Sequence, residues 1–222
     1  MGSEPRIVRA QDQPPQAWRN GGGQTRELLV WPGRARPATA APGAGAYPWR
    51  LRISLADVSR GGPFSAYPGV QRWFAVVEGA GVRLAFPTAA HRVDAQSAPL
   101  HFGGELPVDC ELLDGPTRDL NLMTAGGTGL MRPARAGRLW RSALPLRGLF
   151  TRVAGTWSDD HGRRRSLAAQ SLLWVDGAAG SAWDFLPGVD GAVPDGLDWE
   201  GDGAGPPGWW LGYAPEAGIT DQ

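Results

Sequence analysis

One segment near the start of the chain combines the side chains of a small-molecule pocket. It reads WRNGGGQTRE over residues 18–27. Arg26 presents a planar fork of donors that can bind a carboxylate through two parallel hydrogen bonds. Asn20 and Thr25 can donate or accept hydrogen bonds, and Trp18 can exclude water. These side chains predict a binding site for a small polar or anionic molecule.

The glycines of the same segment add backbone donors. Because glycine has no Cβ, Gly21 to Gly23 can adopt positive φ and come close to another group. Such a turn leaves N–H groups, including that of Gly22, free to assist Arg26 in holding an anion. The alternative is a glycine-rich turn before an edge strand, with Arg26 and Glu27 in solvent, because such turns are frequent in all-β chains. The residues alone leave both interpretations open.

Other polar residues fall within predicted strands. In an antiparallel sandwich, polar side chains that share the inward face need partners, because an unpaired buried charge is costly. Asp119 and Asn121 lie two residues apart, and therefore on one strand face, although both have poor β propensity. Asn121 is a candidate for the pocket, and Asp119 either joins it or holds an arginine in place. The polar strand residues are Arg26, Glu27, Arg50, Arg52, Arg72, Glu78, Asp119 and Asn121. For Arg52 and Glu78 we favour exposure to solvent over a place in the pocket.

Metal and nucleophile chemistry have little support in the sequence. His91, His101 and His161 do not have the spacing that directs two histidines at one ion. We interpret Cys110, the single cysteine, as a small buried apolar residue. The chain has no G-x-S-x-G elbow, no P-loop and no dinucleotide-binding fingerprint. We therefore expect neither a bound metal nor another cofactor.

Two other functions are open on the same residues. Glu27 could act as a general acid or base in an enzyme that uses the same pocket. The C-terminal pair Trp209 and Trp210 could instead lie exposed and form a protein-interaction surface.

Charge and composition limit the partners. The 22 basic residues, all Arg, balance 22 acidic residues, so the formal net charge is +0. A nucleic-acid-binding face needs an excess of positive charge. The first ten residues show no apolar signal-peptide region, and no apolar run reaches membrane-spanning length. We expect a cytoplasmic protein without nucleic-acid or membrane partners, and a homodimer is compatible with the sequence.

Hydrophobic periodicity predicts an all-β fold. Short apolar runs of period two recur between Gly and Pro, as in a sandwich or barrel. Ranges 34–48 and 190–207 are predicted loops, residues 78–81 a tight hairpin, and residues 126–137 a linker. The predicted strands are 25–31, 49–58, 70–78, 82–86, 100–102, 108–113, 117–123, 147–154, 171–176 and 209–213.

The motifs together resemble one family. Residues 18–27 are similar to the W-[KR]-N-G-G-G-x-T-[RK]-E signature of the HutD/Ves family of cupin-like proteins. Further segments follow in the family's order at residues 49–54, 62–69, 78–81 and 114–123. The resemblance covers about the first 125 residues.

The resemblance implies a metal-free bicupin. Its two antiparallel β-sandwich units would be residues 1–125, with the pocket, and residues 126–222, smaller and packed on the first. Members are often encoded with histidine-utilisation enzymes and are thought to regulate that pathway by sensing a small acid. Urocanate and a formylated glutamate derivative are the candidate ligands. The implied pocket, with Gly22 added through its backbone, comprises Trp18, Asn20, Thr25, Arg26, Glu27, Ser65, Arg72 and Asn121.

Overall fold

The computed structural model describes residues 4–32, 47–177, 179–188 and 205–216. The predicted loops over 34–48 and 190–207 lie mostly outside these ranges. Within them, no helix has the length and apolar character needed to cross a bilayer.

The described chain is all-β apart from one turn of 3-10 helix at Ala10–Asp12. The strands, in chain order, are β1 (Arg6–Arg9), β2 (Gln16–Ala17), β3 (Gly23–Trp31), β4 (Leu51–Val58), β5 (Gly62–Pro63), β6 (Gln71–Glu78), β7 (Val82–Ala85), β8 (Ala90–Val93), β9 (Leu100–Gly103), β10 (Asp109–Leu112), β11 (Thr117–Thr124), β12 (Thr128–Pro133), β13 (Trp140–Arg141), β14 (Leu146–Thr151), β15 (Gly155–Asp159), β16 (Arg164–Leu167), β17 (Ser171–Asp176), β18 (Ala182–Pro187) and β19 (Gly208–Ala214).

The strands belong to two compact units. The cavity unit comprises Gln13–Gly129 and Pro215–Gln222, and the tryptophan unit comprises Met1–Asp12 and Leu130–Ala214. The predicted boundary after residue 125 grouped the N-terminal residues with the first half of the chain. In the structure, β1 pairs antiparallel with β17 of the tryptophan unit. The range predicted as a linker contains β12.

The cavity unit consists of two antiparallel sheets. One has six strands in the order β2-β3-β4-β11-β6-β9, and the other has four in the order β5-β10-β7-β8. Phe74 and Val76 of the larger sheet share a core with Val82 and Leu84 of the smaller one. The hairpin predicted at residues 78–81 is wrong, because β6 and β7 lie in different sheets. Gly79 and Gly81 adopt positive φ, which lets the chain turn from the larger sheet into the smaller one.

Alternation along β4 supplies two buried faces. Leu51, Ile53 and Leu55 lie on one face and are at most 1% exposed. Arg52 and Ser54 lie on the other face, because successive side chains of a strand point to opposite sides. Ser54 is buried and Arg52 is half-buried, so the polar face looks into the protein and not into bulk solvent.

The tryptophan unit also consists of two antiparallel sheets, ordered β1-β17-β14-β19-β12 and β13-β18-β15-β16. Its core is aromatic: Trp157 and Trp183 are fully buried, and Trp140 stacks on Trp210 with ring centroids 5.1 Å apart. Trp209 and Trp210 are 0% and 3% exposed. The alternative that they form an interaction surface is therefore wrong, because β19 turns both rings into buried environments.

Candidate functional site

A cavity of about 430 Å³ lies within the cavity unit. This volume lies in the range of small-molecule sites. Alternate residues of β4, β6 and β11 form one wall together with Thr25 of β3, and residues from 16–20 and 63–67 contribute the rest. The lining residues are Gln16, Ala17, Trp18, Arg19, Asn20, Thr25, Arg52, Ser54, Ala56, Val58, Pro63, Phe64, Ser65, Tyr67, Arg72, Phe74, Asp119, Asn121 and Met123.

Arg72 is the buried cation of this cavity. It is 7% exposed, and its Nη2 donates to Oδ1 of Asn121 at 3.1 Å. Its Nε atom is buried without a hydrogen-bond partner among the described residues. The side chain therefore has hydrogen-bonding capacity that the described residues do not use.

Aromatic rings hold the guanidinium of Arg72. The ring centroids of Phe64 and Phe102 each lie 5.1 Å from its Cζ atom, and that of Tyr67 lies 5.9 Å away. Burial lowers the pKa of Arg72 to about 10. It therefore remains charged at neutral pH, in surroundings that strengthen its attraction for an anion.

A second arginine, Arg52, lies in the same row of side-by-side residues across β4, β11 and β6. Met123 on β11 lies opposite Arg52 on β4 and opposite Arg72 on β6. The Nε of Arg52 lies 3.0 Å from Oε2 of Glu27, so Arg52 is already neutralised. Glu27 does not line the cavity. Arg72 is left as the buried cation of the lining that a ligand can neutralise, whereas Arg19, which also lines the cavity, is exposed.

Asn121 occupies the next row of the sheet. It lies opposite Ser54 on one side and Phe74 on the other. Its amide oxygen accepts the bond from Arg72. The amide oxygen is thereby used, and the amide NH2 remains a donor group beside Arg72 in the cavity lining.

Asp119 lies one row further along β11, opposite Ala56 and Val76. Its side chain is fully buried, and its Oδ2 accepts a 3.1 Å hydrogen bond from the Thr117 hydroxyl. Burial raises the pKa of Asp119 to about 8, aided by the charge of Asp57 and opposed by the Thr117 bond. At neutral pH the carboxyl group therefore holds its proton for most of the time.

The glycine-rich segment forms hydrogen bonds within itself. Trp18 Nε1 donates to the Thr25 hydroxyl at 2.8 Å, and both residues line the cavity. The N–H of Gly22 donates to Oδ1 of Asn20 at 2.9 Å. The prediction that Gly22 directs a free donor at the ligand is corrected, since its N–H is used within the loop and Gly22 does not line the cavity.

Arg26 lies outside the cavity. It pairs in register with Leu55, on the opposite face of the sheet from Thr25. Its guanidinium forms an ion pair with Asp57, which also accepts hydrogen bonds from Gln24 and Arg118. The predicted carboxylate-binding role of Arg26 is therefore corrected. Adjacent strand residues point to opposite faces, so Thr25 and Arg26 cannot both enter one cavity.

The structure thus brings together most of the predicted site. Gly22, Arg26 and Glu27 lie outside the cavity. Arg52, Ser54 and the rings of the 63–67 segment were missed, although the alternation of β4 could have placed the first two beside Thr25. The predicted residues that line the cavity are Trp18, Asn20, Thr25, Ser65, Arg72 and Asn121.

Within the described ranges, no three His, Cys, Asp or Glu side chains are grouped so as to hold a metal ion. His101 stacks on Trp73 with ring centroids 4.2 Å apart. Cys110 is buried in the core of the cavity unit, which raises the pKa of its thiol to about 12. Its prediction as a buried apolar residue is confirmed.

The HutD family model matches residues 10–187. The chain belongs to the HutD family. It is 37% identical over 123 residues to an uncharacterised 21.2 kDa protein in the hutC 3′ region of Pseudomonas putida, and this match spans 55% of the chain and 60% of that protein. It is 31% identical over 165 residues to protein Ves of Citrobacter koseri, spanning 74% of the chain and 80% of Ves.

Solved structures support the same fold. HutD from Pseudomonas fluorescens SBW25 superposes with a TM-score of 0.70 at 23% identity, covering 95% of this chain and 98% of that one. The protein Ylba of Escherichia coli matches with a TM-score of 0.59 at 7% identity, covering 98% and 93%. The predicted all-β, cupin-like fold is thereby confirmed.

Proposed function

We propose that the cavity binds a small organic acid and that this binding regulates histidine utilisation. Arg72 and Asn121 hold the carboxylate, and Trp18 covers the less polar part of the molecule. The observation that carries this proposal is the guanidinium of Arg72, which is buried with one N–H free of a partner among the described residues.

Electrostatics favours an anion in this position. A buried charge without a counter-charge costs several kcal/mol, and a bound carboxylate removes that cost. Arg72 and the amide group of Asn121 together offer donors to two carboxylate oxygens. Arg52 adds positive potential nearby, although Glu27 neutralises much of it.

The proposed role in metabolism comes from the family. The name HutD and the hutC region of the Pseudomonas putida relative both point to histidine utilisation. Acids of that pathway, urocanate and formylated glutamate, are small enough for a cavity of about 430 Å³. We propose these two as the first ligands to test.

The test compares two arginines of the same unit. In Arg72→Met, we expect calorimetry to show that affinity for urocanate or formylglutamate falls by roughly 10- to 100-fold, the range for losing a charged hydrogen bond. Arg26→Met is the matched control, and its affinity should stay within about twofold of wild type. Unchanged affinity in folded Arg72→Met would overturn the proposal.

The catalytic alternative depended on Glu27, which does not line the cavity. Glu27 lies in an ion pair with Arg52 and outside the cavity, so it is not positioned to move a proton on a bound acid. Turnover of either acid by the wild type, with loss of turnover in Glu27→Gln, would restore the alternative.

A further inference from the structure

We infer that Asp119 is a second recognition point in the cavity, where its Oδ1 accepts a hydrogen bond from an N–H group of the bound acid. The inference rests on the proposed function and narrows it. The ligand class becomes small acids that carry an azole, pyrrole or amide N–H in addition to the carboxylate.

The unsatisfied oxygen of Asp119 is the first observation. Oδ1 is buried and has no hydrogen-bond partner among the described residues, whereas Oδ2 is held by Thr117. The cross-strand neighbours of Asp119 are Ala56 and Val76, whose side chains cannot donate. A buried acceptor without a donor is costly, so a ligand that supplies the donor gains affinity.

The position of Asp119 relative to the carboxylate site is the second observation. Asp119 and Asn121 both line the cavity from β11, two residues apart. Such residues share a face and lie roughly 7 Å apart along a strand. A ligand whose carboxylate lies on Arg72 and Asn121 therefore reaches Asp119 with a group a few bonds away.

The protonation of Asp119 fits a neutral N–H partner. Burial keeps this carboxyl group largely protonated at neutral pH. In the neutral acid Oδ2 can carry the proton and donate it to the Thr117 hydroxyl, which leaves Oδ1 as the carbonyl oxygen that accepts a hydrogen bond. The ligand group therefore does not need to be a cation, and an uncharged ring or amide N–H is sufficient.

The test uses two acids of nearly the same shape. The ring of 3-(pyrrol-2-yl)acrylate has an N–H where that of 3-(furan-2-yl)acrylate has only an oxygen. We expect the wild type to bind the pyrrole acid roughly tenfold more tightly or better, the effect of one buried hydrogen bond. Equal affinities, or a preference for furan, would overturn the inference. This comparison does not depend on a variant that folds.

Asp119→Asn then assigns the preference to one residue. The Thr117 hydroxyl can donate to the new amide oxygen, which places the NH2 group where Oδ1 lies. The ring N–H would then meet a donor, so the pyrrole preference should vanish. A preserved preference would overturn the role of Asp119. If Asp119→Asn does not fold, Asp119→Leu takes its place. Its side chain has no acceptor for the ring N–H, so the pyrrole preference should vanish in this variant too.

The two proposals fail in different ways. If neither acid binds the wild type, carboxylate binding itself fails, and the role of Asp119 fails with it. If both acids bind equally and Arg72→Met abolishes both, the carboxylate site stands and only the inference about Asp119 is overturned.

Discussion

Arg72 and Asp119 each combine burial with an unsatisfied polar atom. Nε of Arg72 and Oδ1 of Asp119 have no partner among the described residues. Burial changes their charges differently, because a pKa of about 10 leaves Arg72 cationic whereas a pKa of about 8 leaves Asp119 mostly neutral at pH 7. The charge of Arg72 beside a mostly neutral Asp119 is the basis for proposing an anionic ligand.

Stability should depend on pH through Asp119. Its pKa in the folded state is about 8, raised from 3.8, so the folded protein keeps a proton that the unfolded chain releases. The free energy of unfolding therefore falls as pH rises from about 4 towards 8. Asp119→Asn lacks this proton. We expect urea unfolding to show the variant gaining stability relative to wild type between pH 5 and pH 8, and parallel pH profiles would contradict the assignment.

At the scale of secondary structure, strand alternation decides which residues of the 18–27 segment line the cavity. Thr25 faces the cavity, and Arg26 faces away towards Asp57. Burial alone would raise the pKa of Asp57. Hydrogen bonds from Arg118, Gln24 and Arg26 outweigh this effect, so the pKa of Asp57 is lowered overall. Arg26 thus pairs with Asp57 on the sheet face opposite the cavity.

The glycines that precede β3 should differ in their tolerance of a side chain. A Cβ at Gly23 would collide with the carbonyl oxygen of Asp57, whereas one at Gly22 would lie 3.3 Å from Oδ1 of Asn20. We expect Gly23→Ala to lower the free energy of unfolding by about 1–3 kcal/mol, the usual cost of overpacking. Gly22→Ala should cost less in the same denaturant titration, and the reverse order would contradict this packing.

At the scale of the whole molecule, the two units have different interiors. The cavity unit has polar groups on an inward sheet face. The described core of the tryptophan unit contains Trp140, Trp157, Trp183 and Trp210. The candidate chemistry thus lies in one unit, while large rings fill the core of the other.

Removal of one of these rings should affect stability without affecting binding. Trp183 is fully buried and contacts the rings of Trp140 and Trp157. We expect Trp183→Ala to lower the free energy of unfolding by about 3–5 kcal/mol. Under conditions in which the variant is folded, calorimetry should give acid affinity within about twofold of wild type. A larger loss of affinity would show that the binding site depends on this core.

The sequence alone determined the fold class and most of the site's location. Period-two apolar runs determine β-strands because burial on one side of a strand requires every second residue to be apolar. Polar residues such as Asn121, in the middle of a strand, indicated a buried polar site. The family motif located Trp18 and Thr25 beside it.

Only the tertiary structure decided which polar groups meet. Alternation fixes that Thr25 and Arg26 face opposite ways, but the sheet that packs on one face decides which of them is inside. Pairing between distant strands placed Arg72 beside Asn121 and left Asp119 among apolar neighbours. The pairing of β1 with β17 is likewise nonlocal. These contacts depend on register between segments far apart in the chain, and local periodicity does not specify that register.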